Sequence, residues 1–180
     1  TRLMMKPRRV KRGVERTKLL MCEGITDKRF ADCLKRLLTT RTAGFSVRLD
    51  DAGGGGPKSA IMAAINHAGS FDKRVVFIDS DLAIPTDALS AARNRDIQII
   101  QSSPFCLEGF LMRLMGHNQQ FVNSQEAKES FHRLYNLKNV VTQEWYEEYI
   151  TLQHINSVLS DHRHVCREVL SDLCDVFTVF

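Results

Sequence analysis

Apolar and polar residues change their spacing along the chain in a regular way, and the spacing predicts alternating strands and helices. Leu19, Leu20, Met21 and Cys22 form a short unbroken apolar run that stops at Glu23-Gly24, the pattern of a buried strand ending in a polar turn. From Asp27 to Leu38 the apolar residues Phe30, Ala31, Leu34, Leu37 and Leu38 fall at helical spacing, with Thr26 or Asp27 placed to cap the helix. The unit then repeats. Phe45, Val47 and Leu49 alternate as in a second strand, residues 50–56 form a turn, and Pro57 opens a helix carrying Ala60, Ile61, Ala64 and Ile65. Val75-Val76-Phe77-Ile78 is the most strand-like run and ends at Asp79-Ser80-Asp81. A helix through Leu89 and Ala92 leads to a fourth strand over 97–100.

Strands alternating with helices of this length imply a parallel sheet, because right-handed crossovers place the helices on its faces. After Ser102-Ser103-Pro104 the pattern turns helical, over 105–115 and then about 125–136, 142–160 and 161–176, with 176–180 the one further candidate strand. The expected architecture is α/β: a Rossmann-like parallel sheet of about four strands flanked by helices, with a helical C-terminal extension. It divides the chain into an N-terminal arm over 1–17, a sheet domain over 18–116 and the extension over 117–180. An apolar stripe on the extension (Tyr149, Leu152, Ile155, Leu159, Val165, Val169, Leu173) suits docking on the sheet domain or on another subunit.

Composition narrows the class. At 180 residues, 43% apolar and 26% charged, the chain can bury one substantial core. No run approaches the roughly 18 apolar residues of a membrane helix, and the basic N-terminus lacks the apolar stretch of a secretion signal, so a soluble cytoplasmic protein is expected. Cys22, Cys33, Cys106, Cys166 and Cys174 are scattered among apolar neighbours, as reduced thiols are, and His154, His162 and His164 lack the partners of a zinc site. The net charge of +4 conceals an asymmetry, since residues 1–18 carry +7 and the remainder about −3. Within that arm Arg8, Arg9, Lys11 and Arg12 are candidates for contact with a phosphate backbone, the other reading being a solvated tail.

Ligands of an open parallel sheet collect at the carboxyl ends of its strands, where Glu23 and the Asp79/Asp81 pair are expected. If those strands are neighbours, the three carboxylates converge, and carboxylates so placed repel unless they share a cation; hard oxygen donors suit Mg²⁺ or Mn²⁺. Asp79 and Asp81, two apart, share one side of an extended chain. The turn Gly53-Gly54-Gly55-Gly56 allows backbone to approach a phosphate just ahead of a helix N-terminus, with Lys58 adding charge; a flexible linker is the alternative. It is not a nucleotide-binding P-loop, because Lys58-Ser59 follows Pro57 rather than glycine.

Glu23-Gly24-Ile25-Thr26-Asp27 after one apolar strand, with Asp79-Ser80-Asp81 after another about 55 residues later, resembles the paired motif of the Toprim superfamily over roughly 18–115. The glycine turn, together with the segment from Ser103 to Leu111, is similar to RloB-like Toprim nucleases of prokaryotic anti-phage systems. The resemblance implies that Asp79 and Asp81 ligate Mg²⁺ (or Mn²⁺), that Glu23 is a ligand or the acid/base beside it, and that Asp27 helps to hold a second ion. Asp27 is equally suited to capping a helix, and Glu108 is either a fourth carboxylate at the rim or a carboxylate favoured by a helix dipole. Gly109 stands where relatives carry a larger residue.

The activity so implied is a metal-dependent nuclease acting on DNA or RNA, the effector of a defence system working beside a sensor such as an ATPase, with homo-oligomerisation open. A ribonuclease M5-like RNA-processing enzyme ranks second, since its aspartate motif continues differently from Asp81-Leu82-Ala83. A Toprim-fold module that binds nucleic acid or a partner without cutting is the reading from another class. Topoisomerase chemistry needs a tyrosine on a further domain, and Tyr135, Tyr146 and Tyr149 read as packing residues.

Overall fold

The computed structural model describes residues 15–40 and 43–180. The basic positions Arg8, Arg9, Lys11 and Arg12 lie outside the described residues. Four βα units run in order: β1 (Arg16–Cys22), α1 (Ile25–Leu38), β2 (Phe45–Asp51), α2 (Gly56–Asn66), β3 (Lys73–Asp79), α3 (Thr86–Asn94), β4 (Gln98–Ser102) and α4 (Leu107–Leu114). Four helices follow, α5 (Ser124–Leu134), α6 (Gln143–Tyr149), α7 (Leu152–Ser160) and α8 (Arg167–Thr178). All strand pairs are parallel, in the order β2-β1-β3-β4, so the fold is the expected α/β sheet flanked by helices.

The unbroken apolar runs belong to the two central strands, which are covered on both faces. Leu19, Met21, Val76 and Ile78 pack with Ala60, Ile61 and Ala64 of α2 and Ala88 and Ala92 of α3. Their neighbours Leu20, Cys22, Val75 and Phe77 face the opposite way, into a larger core with Phe30 and Leu34 of α1, Phe110 of α4, Trp145 and Tyr146 of α6, and Leu170, Leu173 and Phe177 of α8. At the sheet's edge, β2 buries Phe45 and Val47 and exposes Ser46 and Arg48, which is why its sequence alternates. The stripe on the C-terminal helices is used the same way. Ile155 and Leu173 are fully buried, whereas Leu152 and Val165 stay exposed.

Three expectations change. The helical run over 142–160 is two helices, because the Thr151 hydroxyl accepts a hydrogen bond from the His154 amide (3.1 Å) and starts a new one after Ile150. The last residues form no strand, since Val176 and Phe177 lie on α8, buried against the sheet, and Phe180 packs its ring on Phe45. The cap of α1 is Gly24, and Asp27 sits inside the first turn with its carboxylate accepting the Gly24 amide (3.2 Å). No helix among the described residues is long and apolar enough to cross a membrane.

Candidate functional site at the carboxyl end of the sheet

Parallel pairing of β1 with β3 and of β3 with β4 brings three strand ends together. Backbone bonds hold them in register: the Glu23 amide donates to the Phe77 carbonyl (3.0 Å), and the Asp79 amide donates to Glu23 Oε2 (2.8 Å). The glycine turn is tied to the same point. The Gly54 amide donates to the Glu23 carbonyl (2.9 Å) and the Gly53 amide to Asp51 Oδ1 (3.0 Å). Gly53 to Gly56 all have positive φ, a run that only glycine enters without strain, so the segment has a defined path.

These elements enclose a hollow of about 190 Å³ lined by Glu23, Thr26, Asp27, Gly54, Asp79, Glu108 and Lys128, with Gly24 and Leu107. Asp27 and Glu108 are each only 6% exposed, which makes their charge costly. Burial pushes the Asp27 carboxyl well above the usual carboxylate range; Asp79, Glu108 and Glu23 push it further, and the Gly24 amide opposes them. Asp79 is raised to about 7, by burial first and then by Glu23, Glu108 and Asp81, against the Ser102 hydroxyl that donates to its Oδ1 (3.1 Å).

Of the sequence-predicted residues, Glu23, Asp27, Asp79, Glu108 and Gly54 line the hollow. Asp81 does not: β3 ends at Asp79, and the chain bends so that the Ser80 amide donates to the Phe105 carbonyl (3.1 Å). The two-residue alternation therefore stops short of Asp81, which is exposed. Lys58 points its ammonium at Asp87 (2.6 Å) on the surface, away from the lining. The glycine after Glu108 has a steric cause, for a Cβ at Gly109 would lie 2.1 Å from the Pro104 carbonyl oxygen.

Two contributors escaped the sequence reading. Ser102 is visible in hindsight as the β4 partner of Asp79 in the parallel register. Lys128 comes from α5, far along the chain, and no local pattern marks it. Burial lowers its pKa, but Glu108, Cys106, Asp79 and Asp81 outweigh that and raise it. His154, by contrast, is used structurally, on the Leu114 carbonyl (2.8 Å).

Among the described residues no three His, Cys, Asp or Glu side chains already stand in a ligating arrangement. The chemistry of the donor set nonetheless fits a hard cation: four carboxylates share one small hollow, two of them raised by burial and then by their neighbours' charge, with one lysine as countercharge. In comparisons with known proteins, no family model, curated protein or solved structure matches this chain.

Proposed function

We propose that the hollow is the active site of a phosphodiesterase that uses Mg²⁺ or Mn²⁺ to cleave DNA or RNA. The observation that carries this reading is the convergence of Glu23, Asp27, Asp79 and Glu108 at neighbouring parallel strand ends, with raised carboxyls short of positive charge. Asp79 and Asp27 would hold the ion, with Glu23 and Glu108 as further oxygen donors; Asp81, outside the lining, adds its charge to the field on Asp79. When bound, such an ion would supply Lewis-acid polarisation of a phosphoryl oxygen and lower the pKa of a water.

The chain's own groups do the rest. The Asp79 amide fixes one Glu23 oxygen and leaves the other for a proton or donor role, and the Ser102 hydroxyl fixes one Asp79 oxygen in the same way. Lys128 supplies positive charge where a phosphate would enter, and the Gly54 turn lets the substrate backbone approach Glu23 without a side chain intervening. By the family resemblance, the role extends to the effector of an anti-phage system held in check by a sensor partner.

The test is to incubate the protein with Mg²⁺ or Mn²⁺ and a panel of total RNA, plasmid and single-stranded DNA. Cleavage should require metal, and Glu23→Ala and Asp79→Ala should each lose more than the roughly 10–100-fold that removal of an outer-shell partner costs a metal site. Equal degradation by wild type and Glu23→Ala sinks the assignment. Lys128, already in the hollow as a resident countercharge, favours a second reading, a module that holds nucleic acid uncut. It predicts metal-independent binding and an intact substrate in every arm.

A further inference from the structure

A second cavity, of about 340 Å³, opens between α1 and the loop leading into α6. Its volume falls at the lower end of the roughly 300–1,000 Å³ typical of small-molecule sites. Arg29 and Arg36 line it with Asp32, Val140, Val141 and Tyr146. Arg29 makes no hydrogen bond or ion pair among the described residues. Arg36 meets Asp32 at 3.4 Å, one turn away on the same helix, with both side chains about half exposed (48% and 54%). Such a pair is weak and yields readily to a stronger anion. With Asp32 counted, the three charged side chains lining the cavity still sum to one positive charge.

We propose that this cavity is a subsite for a phosphate-bearing nucleotide of a bound nucleic-acid strand, apart from the acidic hollow. Two guanidiniums offer planar forks that match phosphate oxygens, and the Val140, Val141 and Tyr146 wall offers apolar surface to a base or sugar. The two sites share α1. Asp27 faces the hollow, and Arg29 and Arg36, two and nine residues on and so roughly half a turn round the helix from it, face the cavity on the other side; at 1.5 Å per residue the far arginine is roughly 13 Å along the axis.

Tyr146 belongs to the wall of the cavity. Its hydroxyl is buried with no hydrogen-bond partner among the described residues, a condition rare in folded proteins. Its phenol is pushed well up by burial and then by Glu108 and Asp27, while Arg29 opposes the shift, so the ring feels both sites. The identity of the ligand rests on the phosphodiesterase reading, but the anion chemistry of the cavity does not.

The test measures binding of short fluorescein-labelled single strands, DNA and RNA, to the whole protein in chelator, where nothing is cut. Arg29→Ala should weaken binding about tenfold, the worth of one charge-assisted contact. It should also flatten the salt dependence by about 0.7 in log–log slope, as expected for one phosphate contact on a single strand. Arg29→Ala with Arg36→Ala should do more, Arg29→Lys should recover part of the loss, and adenosine monophosphate should displace the strand better than inorganic phosphate. Because Arg29 is exposed, the variants should unfold like wild type. The subsite is overturned if the double variant binds with wild-type affinity and slope, or if wild type binds no strand. Metal-dependent cleavage with unchanged binding in the double variant sinks the subsite alone. Weakened binding in a protein that never cuts keeps the subsite and sinks the nuclease.

Discussion

At the start of β1 a lysine is buried among acceptors, and at its far end carboxylates are buried among one another. Lys18 is only 5% exposed, yet its ammonium donates to the carbonyls of Asp175 (3.3 Å), Val176 (2.9 Å) and Val179 at the C-terminal end of α8. It also sits 4.7 Å from the centre of the Phe45 ring. Burial and Lys73 lower its pKa, and Asp175 opposes them, but the helix end supplies fixed oxygens and a favourable dipole. The acidic end is settled only in part: the Gly24 and Asp79 amides and the Ser102 hydroxyl each serve one carboxylate, and Lys128 is the only cation lining the hollow among the described residues. A buried charge satisfied by backbone is a structural device, whereas a set left repelling is the arrangement found where a ligand completes the site.

The contrast can be broken most directly by neutralising one carboxylate. With a chelator present, Asp79 is raised from 3.8 to about 7 on folding, so the folded protein holds the proton over a range in which the unfolded chain has lost it. Stability therefore falls as pH rises from about 4 to about 7 and is flat, for this group, above that. At 1.36 kcal/mol per pH unit the loss is on the order of 4 kcal/mol at most. Asp79→Asn should regain much of it at pH 8 and flatten that part of the profile, as read by chemical denaturation, and divalent metal should stabilise wild type more at pH 8 than at pH 5. A destabilised Asp79→Asn at pH 8 would mean that the acidic end is as settled as the other.

Lys18→Met probes the settled end. It keeps the buried stem but strips three carbonyls of their donor, and should cost about 2 kcal/mol by the same measurement. A neutral outcome would remove the distinction between the two ends. The smallest effect is expected at Lys128, whose side chain is partly exposed. Lys128→Ala should destabilise by about 0.5 kcal/mol in low salt and less in high salt, since screening weakens such pairs. Any larger and salt-insensitive loss would make Lys128 a structural anchor like Lys18.

Much of the fold was legible because strand and helix leave different periods in the sequence. The double-sided burial of β1 and β3 leaves unbroken apolar runs, and the half-exposed edge of β2 leaves alternation. The break between α6 and α7 was not legible from period alone, since Thr151 restarts a helix without disturbing the apolar spacing around it. At the site, Glu23 and Asp79 were legible because each directly ends or follows a strand. Asp81 does not line the hollow, because β3 ends at Asp79 and the strand alternation does not reach two residues further.

By itself the sequence determined which strands carry acid at their carboxyl ends and that the sheet is parallel, because both follow from local patterns within single elements. Only the tertiary structure decided who shares the hollow. β1 lies beside β3 and β3 beside β4, α4 brings Glu108, and α5 returns with Lys128. Those choices depend on how helices pack over a shared core, a long-range matter in which apolar contacts set the position of charges that no local spacing records.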